Sequence, residues 1–196
     1  MNPALLETNQ RHILDNEQER AGQLARMVLE RPVPSIWMIL IPVLFVFHVW
    51  RIKAYGCGLT DFAEHYLVPR RRALDAAAVS VRTGDKVDFE GLLGQAASLP
   101  APAIPLYREW MALLTEHYRL LLTARGDDYA ALVRSGYQRK TTYLLCCNRL
   151  NRAEQAFSLA LLPQIEGENS DLQDVLARMN HGIADLRRRE GDRIFA

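Results

Sequence analysis

Charge of a single sign is missing from this chain of 196 residues: 24 lysines and arginines stand against 23 aspartates and glutamates, a formal net charge of +1. Nucleic-acid-binding domains carry a clear basic excess, so no nucleic-acid partner is expected. Cysteine is scarce too. Cys57, Cys146 and Cys147 are an odd number, and two of them are neighbours, so they build no disulfide framework. A reducing, cytosolic setting is expected for most of the mass.

Motifs are the third absence. No Gly-x-Ser-x-Gly, P-loop, kinase set or Cys-x-x-Cys occurs. Neither the Glu-x-x-His pair of di-iron bundles nor the His-Glu-x-x-His of zinc peptidases is present. Glu64-His65 and Glu116-His117 are adjacent pairs. Adjacent side chains diverge by roughly 100° on a helix and do not close easily on one ion. No metal or cofactor is expected, and no catalytic residue can be named.

What the chain does have is one long apolar run. From Pro32 to Trp50 the only ionisable side chain is His48, and ten of the fifteen residues Ile36–Trp50 are Leu, Ile, Val or Phe. At the per-residue insertion values of such side chains, this favours hydrocarbon by about 3–6 kcal/mol. Trp37 and Trp50 bracket the run as interfacial indoles do, and Arg31, Arg51 and Lys53 flank it. Ile36, Trp37, Ile39, Leu40, Ile41, Leu44, Phe45, Phe47 and Trp50 are the expected membrane-contacting residues. Arg51, Lys53, Arg70, Arg71 and Arg72 are the expected headgroup contacts. Nineteen residues span about 28 Å, just short of a hydrocarbon core, and Pro42 interrupts the helix bond to Met38. A kinked single span and a re-entrant wedge both fit; bases on both flanks remove the usual orientation signal.

The remaining chain reads as all-α. Residues 1–31 form an amphipathic helix with apolar ends and a polar, solvated middle from Asp15 to Arg20. Residues 32–53 are the membrane segment. Residues 54–100 are membrane-proximal helices. Among these, Gly56-Cys57-Gly58 breaks the chain, Thr60 or Asp61 caps a helix to about Arg82, and Asp88 caps a short one. Pro100, Pro102 and Pro105 form an extended linker, after which residues 101–196 fold as an antiparallel bundle.

Bundle positions step by three and four: Leu106, Trp110, Leu113, His117 and Leu120 on one helix, then Tyr143, Cys147, Leu150, Glu154 and Phe157. Gly126 suits a left-handed helix terminus, Asp127 or Asp128 caps the next helix, and Gln138–Thr142 is a break. His117, Lys140 and Glu154 interrupt the apolar seam, either as an inward-facing charge set or at the bundle edge. The last helix is expected to expose Arg187, Arg188 and Arg189.

These readings converge on a membrane-anchored helical interaction protein. Its expected location is the cytoplasmic face of a bacterial-type inner membrane, and its expected partners are membrane lipid and a protein or second copy. The alternative is an interfacial enzyme acting on a lipid, with Glu64, His65, Arg70–Arg72 and His117 as its groups.

Overall fold

In the computed structural model the described residues are 3–29, 42–94, 99–161, 163 and 169–196, with the side chains of 42–56, 93 and 169–172 outside that description. All secondary structure among them is helical: α1 Pro3–Val28, α2 Pro42–Thr83, α3 Phe89–Gly94, α4 Ala103–Thr123, α5 Tyr129–Tyr137, α6 Lys140–Leu161 and α7 Asn169–Ile194. The five long helices close a ring in the order α1, α2, α4, α6, α7 and back to α1. Short α5 packs against α1, α4, α6 and α7.

Why these residues make these helices is clear at several ends. Gly84 adopts φ +82°, which favours glycine, and its N–H closes α2 on the Ser80 carbonyl at 2.9 Å. Asp88 Oδ1 accepts from Gly91 N at 2.9 Å, and Asp128 Oδ1 accepts from Ala131 N at 2.6 Å, capping α3 and α5 as their positions imply. Left-handed Gln138 ends α5, and α6 begins two residues later. The C-terminal end of α4 is served from a distance: Asn9 Nδ2 donates to the Leu122 and Ala124 carbonyls, both at 3.0 Å.

Five expectations are corrected. First, α2 runs 42 residues straight through Gly56-Cys57-Gly58, so Thr60 and Asp61 lie inside a helix and cap nothing. Glycine costs a helix about 1 kcal/mol, which packing against α1 and α4 outweighs. Second, Pro102 is helical at the mouth of α4 and Pro105 lies in its first turn, where a missing N–H costs little; there is no extended linker. Third, Gly126 has no positive φ. It is small because an added Cβ would stand 2.6 Å from Ala131 Cβ and 2.8 Å from Leu132 N. Fourth, the buried face of α4 is broader than a narrow seam, taking in Tyr107, Met111, Leu114, Tyr118 and Leu121, because α4 is flanked by α1, α2, α5 and α6. Fifth, the middle of α1 is solvated on one side only: Asp15, Gln18 and Glu19 are exposed, but Glu17 and Arg20 are buried.

No helix among the described residues is long and apolar enough to cross a membrane. Ile36, Trp37, Ile39, Leu40 and Ile41 lie outside the described residues, so the kink expected at Pro42 falls at their boundary. Within α2, the apolar stretch Pro42–Trp50 is nine residues, about 13 Å of helix.

Two apolar clusters fill the ring. The larger gathers Ile13, Leu74, Trp110, Leu121, Leu132 and Leu150, among others. The smaller joins Ala21, Leu24, Val28, Tyr66, Leu67 and Ile183, from α1, α2 and α7. The Gly126 contact yields a direct test. Replacing Gly126 with Ala forces the α4–α5 connection to move and should destabilise the fold by about 1–3 kcal/mol in urea unfolding. Gly94→Ala, whose added Cβ meets nothing within 4 Å, should leave the midpoint almost unchanged.

Candidate functional site

Between the two apolar clusters lies a layer of charge. On α1, Glu17 and Arg20 stand between Ile13 of the larger cluster and Ala21 and Leu24 of the smaller. On α2, Arg70 separates Leu67 from Ala73, and on α7, Arg187 and Glu190 separate Ile183 from Ile194. Glu154 enters from α6, beside Ala153. Three arginines and three glutamates, each 8% exposed or less, thus meet inside the bundle.

Their pairing is continuous. Arg20 Nη1 lies 2.7 Å from Glu17 Oε1, and its Nη2 lies 2.8 Å from Glu190 Oε2 and 2.8 Å from Asn16 Oδ1. Arg70 Nη2 donates to Glu154 Oε1 at 2.6 Å, and its Nε stands 3.4 Å from Glu17 Oε2. Arg187 Nη2 approaches Glu154 Oε2 at 3.6 Å while its Nη1 donates to Asn151. Tyrosines complete the carboxylates: Tyr118 Oη donates to Glu17 at 3.1 Å, and Tyr143 Oη to Glu190 at 2.5 Å. Pro69 removes the helix bond to the His65 carbonyl; Arg70 Nη1 donates to the adjacent Tyr66 carbonyl at 2.9 Å. The formal sum is zero, as a buried charge set requires.

Protonation follows from this packing. Burial alone would raise the Glu17 carboxyl, but Arg20, Arg70 and Arg187 outweigh it and hold it down at about 2. Glu190 is lowered against its own burial by Arg20 and by its bonds from Tyr143 and Asn16. His117 is lowered to about 4, first by burial, with Glu17 opposing and Arg20 and Arg187 assisting. Burial pushes the Tyr66 phenol up to about 12. A general acid or base works best with a pKa near the operating pH. These groups have been moved away from the neutral pH range.

Two of the clefts among the described residues take in residues expected from sequence. One, about 610 Å³, includes His117, Tyr137 and Cys146 in its lining. His117 Nδ1 lies 2.6 Å from Tyr137 Oη, which donates to Cys146 Sγ at 3.1 Å. Burial raises the Cys146 thiol, so it is no activated nucleophile. The other cleft, about 450 Å³, lies between α2, α4 and α6 and includes Tyr66, Arg70, Trp110, Glu154 and Phe157.

The structure redistributes the sites expected from sequence. Arg70, expected at lipid headgroups, is 2% exposed and belongs to the charge layer; with two carboxylates within 3.4 Å it has no reach to a bilayer. Arg71 pairs on the surface with Glu64 at 2.8 Å, and Arg72 lines the second cleft. Arg187 is 3% exposed rather than displayed, and Glu154 sits in the interior rather than at the edge. Lys140 is the exception among the three seam breakers, an exposed side chain paired with Asp192 at 3.0 Å. Leu44, Phe45, Phe47, Trp50, Arg51 and Lys53 fall on the first turns of α2, with side chains outside the described ones. His65, Arg70 and Arg72 share one cleft whereas His117 belongs to the other, so the proposed enzyme groups do not converge. Among the described residues no set of three His, Cys, Asp or Glu could hold a metal ion.

Sequence reading did not find Glu17, Arg20, Arg187 or Glu190. The available signal on α1 was their spacing: Leu6, Asn9, Ile13, Glu17, Arg20, Leu24 and Val28 continue one helical face without interruption.

Removing one member of the layer exposes its partners to burial without compensation. Arg70→Leu should cost about 3–5 kcal/mol in urea unfolding. Arg71→Leu, one residue away on the surface, should stay within about 0.5 kcal/mol of wild type. Acid should act in two stages. His117, held neutral down to about 4 against an ordinary 6.5, lends stability that is complete above 6.5 and lost as pH falls from there to 4. Glu17, held at about 2 against an ordinary 4.5, lends stability complete above 4.5 and lost as pH falls toward 2. Unfolding midpoints measured across pH should lose the upper stage in His117→Gln, and the lower stage should shrink in Glu17→Gln to what Glu190, also held low, supplies. No protein-family model, curated protein or solved structure matches this chain.

Proposed function

We propose that this chain is a membrane-anchored helical interaction protein. The run around Ile36–Trp50 attaches it to the cytoplasmic face of an inner membrane, and the bundle receives a protein partner or a second copy. The observation that carries this reading is the continuity of α2. One unbroken helix begins with the apolar residues Pro42–Trp50, forms one wall of the ring and ends at Thr83. Any attachment at its first turns is therefore transmitted to the bundle without a flexible joint. Bases on both flanks of the run, Arg31 before it and Arg51 and Lys53 after it, favour a wedge with both ends on one face over a span.

Support for a binding role comes from how the charges are used. The interior arginines and glutamates form ion pairs with one another, while large apolar side chains remain on the surface: Leu145 is 63% exposed, Val79 54% and Leu159 48%. Leu145 and Leu120 also line the His117 cleft. The interfacial-enzyme reading is the weaker one, because its groups divide between two clefts and one of them, Glu64, is engaged with Arg71 on the surface.

The full chain expressed in bacteria should remain with the membrane pellet through a carbonate wash. Leu44→Arg combined with Phe47→Arg should release it, since each arginine placed in hydrocarbon opposes insertion by about 2.5–3.5 kcal/mol. A wild-type chain that stays soluble without detergent overturns the anchor. A chain that is strictly monomeric in detergent and captures no membrane protein overturns the interaction role.

A further inference from the structure

The cleft that holds His117 carries acid on one wall and base on the other. Leu113, Glu116 and Leu120 of α4 line it together with Leu145 and Arg149 of α6. Glu116, Leu120, Leu145 and Arg149 are all exposed. Neither Glu116 nor Arg149 enters an ion pair among the described residues. Glu109, two turns before Glu116, extends the acidic row on α4, and Arg152 extends the basic row on α6; both are exposed. Large apolar side chains and unpaired charges of both signs therefore share one open face.

The course of the helices fixes which groups stand level. Tyr107 meets Phe157 with ring centroids 5.1 Å apart, and Tyr137 Oη stands 2.6 Å from His117 Nδ1 and 3.1 Å from Cys146 Sγ. Helices α4 and α6 are thus antiparallel, with Glu116 nearly level with Arg149 and Leu120 nearly level with Leu145. Arg119, the third charge of the lining, lies roughly 60° round α4 from Glu116, in the opposite sense to Leu120. Helix α2 runs the same way as α4: Arg70 is 5.5 Å from the Trp110 ring, and Ser80 and Gly84 share the cleft with Leu120 and Thr123.

A two-fold axis laid along this groove sets α4 of each copy against α6 of the other, without a shift along the helices. Glu116 then faces Arg149 and Leu120 faces Leu145, twice over, the self-complementarity that an isologous contact requires. A two-fold axis across the groove would instead set α4 on α4, acids facing acids. A partner of one charge sign would leave one row unmatched. The axis along the groove also follows α2, so the apolar first turns of both copies point the same way, as attachment to one membrane demands. We propose that this face joins two copies of the chain about a two-fold axis parallel to α4. The pairing rests on the membrane-anchored reading above and names its partner.

The test is sedimentation equilibrium of the full chain in density-matched non-ionic detergent, where the wild type should be a dimer. Glu116→Arg sets arginine against Arg149 of the second copy, and Arg149→Glu sets glutamate against Glu116. Each variant alone should raise the dimer dissociation constant at least tenfold. Mixed in equal amounts, the two should form a dimer with one copy of each, because every facing pair is then opposite in sign. Mixing could not restore an ion pair made within a single copy. Leu145→Asp should leave monomers, whereas Val79→Asp, exposed and absent from this cleft's lining, should dimerise as wild type. All four substituted side chains are exposed, so helicity should stay at the wild-type level. A monomeric wild type, single variants that dimerise like it, or mixing that restores nothing overturns the proposal. A monomer that still captures a membrane protein overturns this pairing and leaves the interaction role standing. A dimer that carbonate releases from membranes keeps the pairing and loses the anchor.

Discussion

Six charges buried in one layer must all be neutralised at once, and this condition governs the whole bundle. Apolar faces slide: a leucine moved by one turn finds another leucine. Glu17, Arg20, Arg70, Glu154, Arg187 and Glu190 have no such tolerance, because each depends on atoms from at least one other member. Replacing such a set by apolar residues is often neutral or favourable for stability, whereas breaking it is costly. Its contribution is therefore to the choice among packings. One register of α1, α2, α6 and α7 satisfies the layer, with Tyr118 of α4 bound to it; a shifted register strands a charge.

The division of the interior into two apolar clusters follows from the same layer. The larger cluster draws on every helix, and alone resembles an ordinary helical core. The smaller involves only α1, α2 and α7 and holds the end of the bundle nearer the start of α2. Close approach there is aided by Gly182, whose missing Cβ would stand 3.0 Å from a Leu24 methyl. The aromatic cleft borders both regions through Tyr66 and Trp110, so it lies where the apolar packing changes hands.

Local features were readable from the chain because their causes are local. The caps at Asp88 and Asp128 and the break at Gln138 depend on a few neighbouring residues. The stepping of Tyr143, Cys147, Leu150 and Glu154 along α6 likewise matches its buried face. The charge layer was not readable, since Arg70 and Glu154 are 84 positions apart and Arg20 and Glu190 are 170 apart. A polar stretch such as Asp15–Arg20 looks solvated until its partners are placed opposite it. The unbroken course of α2 through two glycines and a proline was hidden for the same reason: local propensity argues for breaks, and the helices on either side override it. The aromatic cleft had no sequence signature at all, because its walls come from four helices.

Arg70 lies 28 residues along α2 from Pro42, a distance of about 42 Å at helical rise. A rod of that length is a lever. Tilting it by about 5° about the arginine would swing its first turn through roughly 4 Å. In reverse, a sideways push of a few ångströms on that first turn becomes a small rotation at the guanidinium, which rests 2.6 Å from Glu154 with no slack. Mechanical events at one end of the molecule thus have a stiff route to its electrostatic centre.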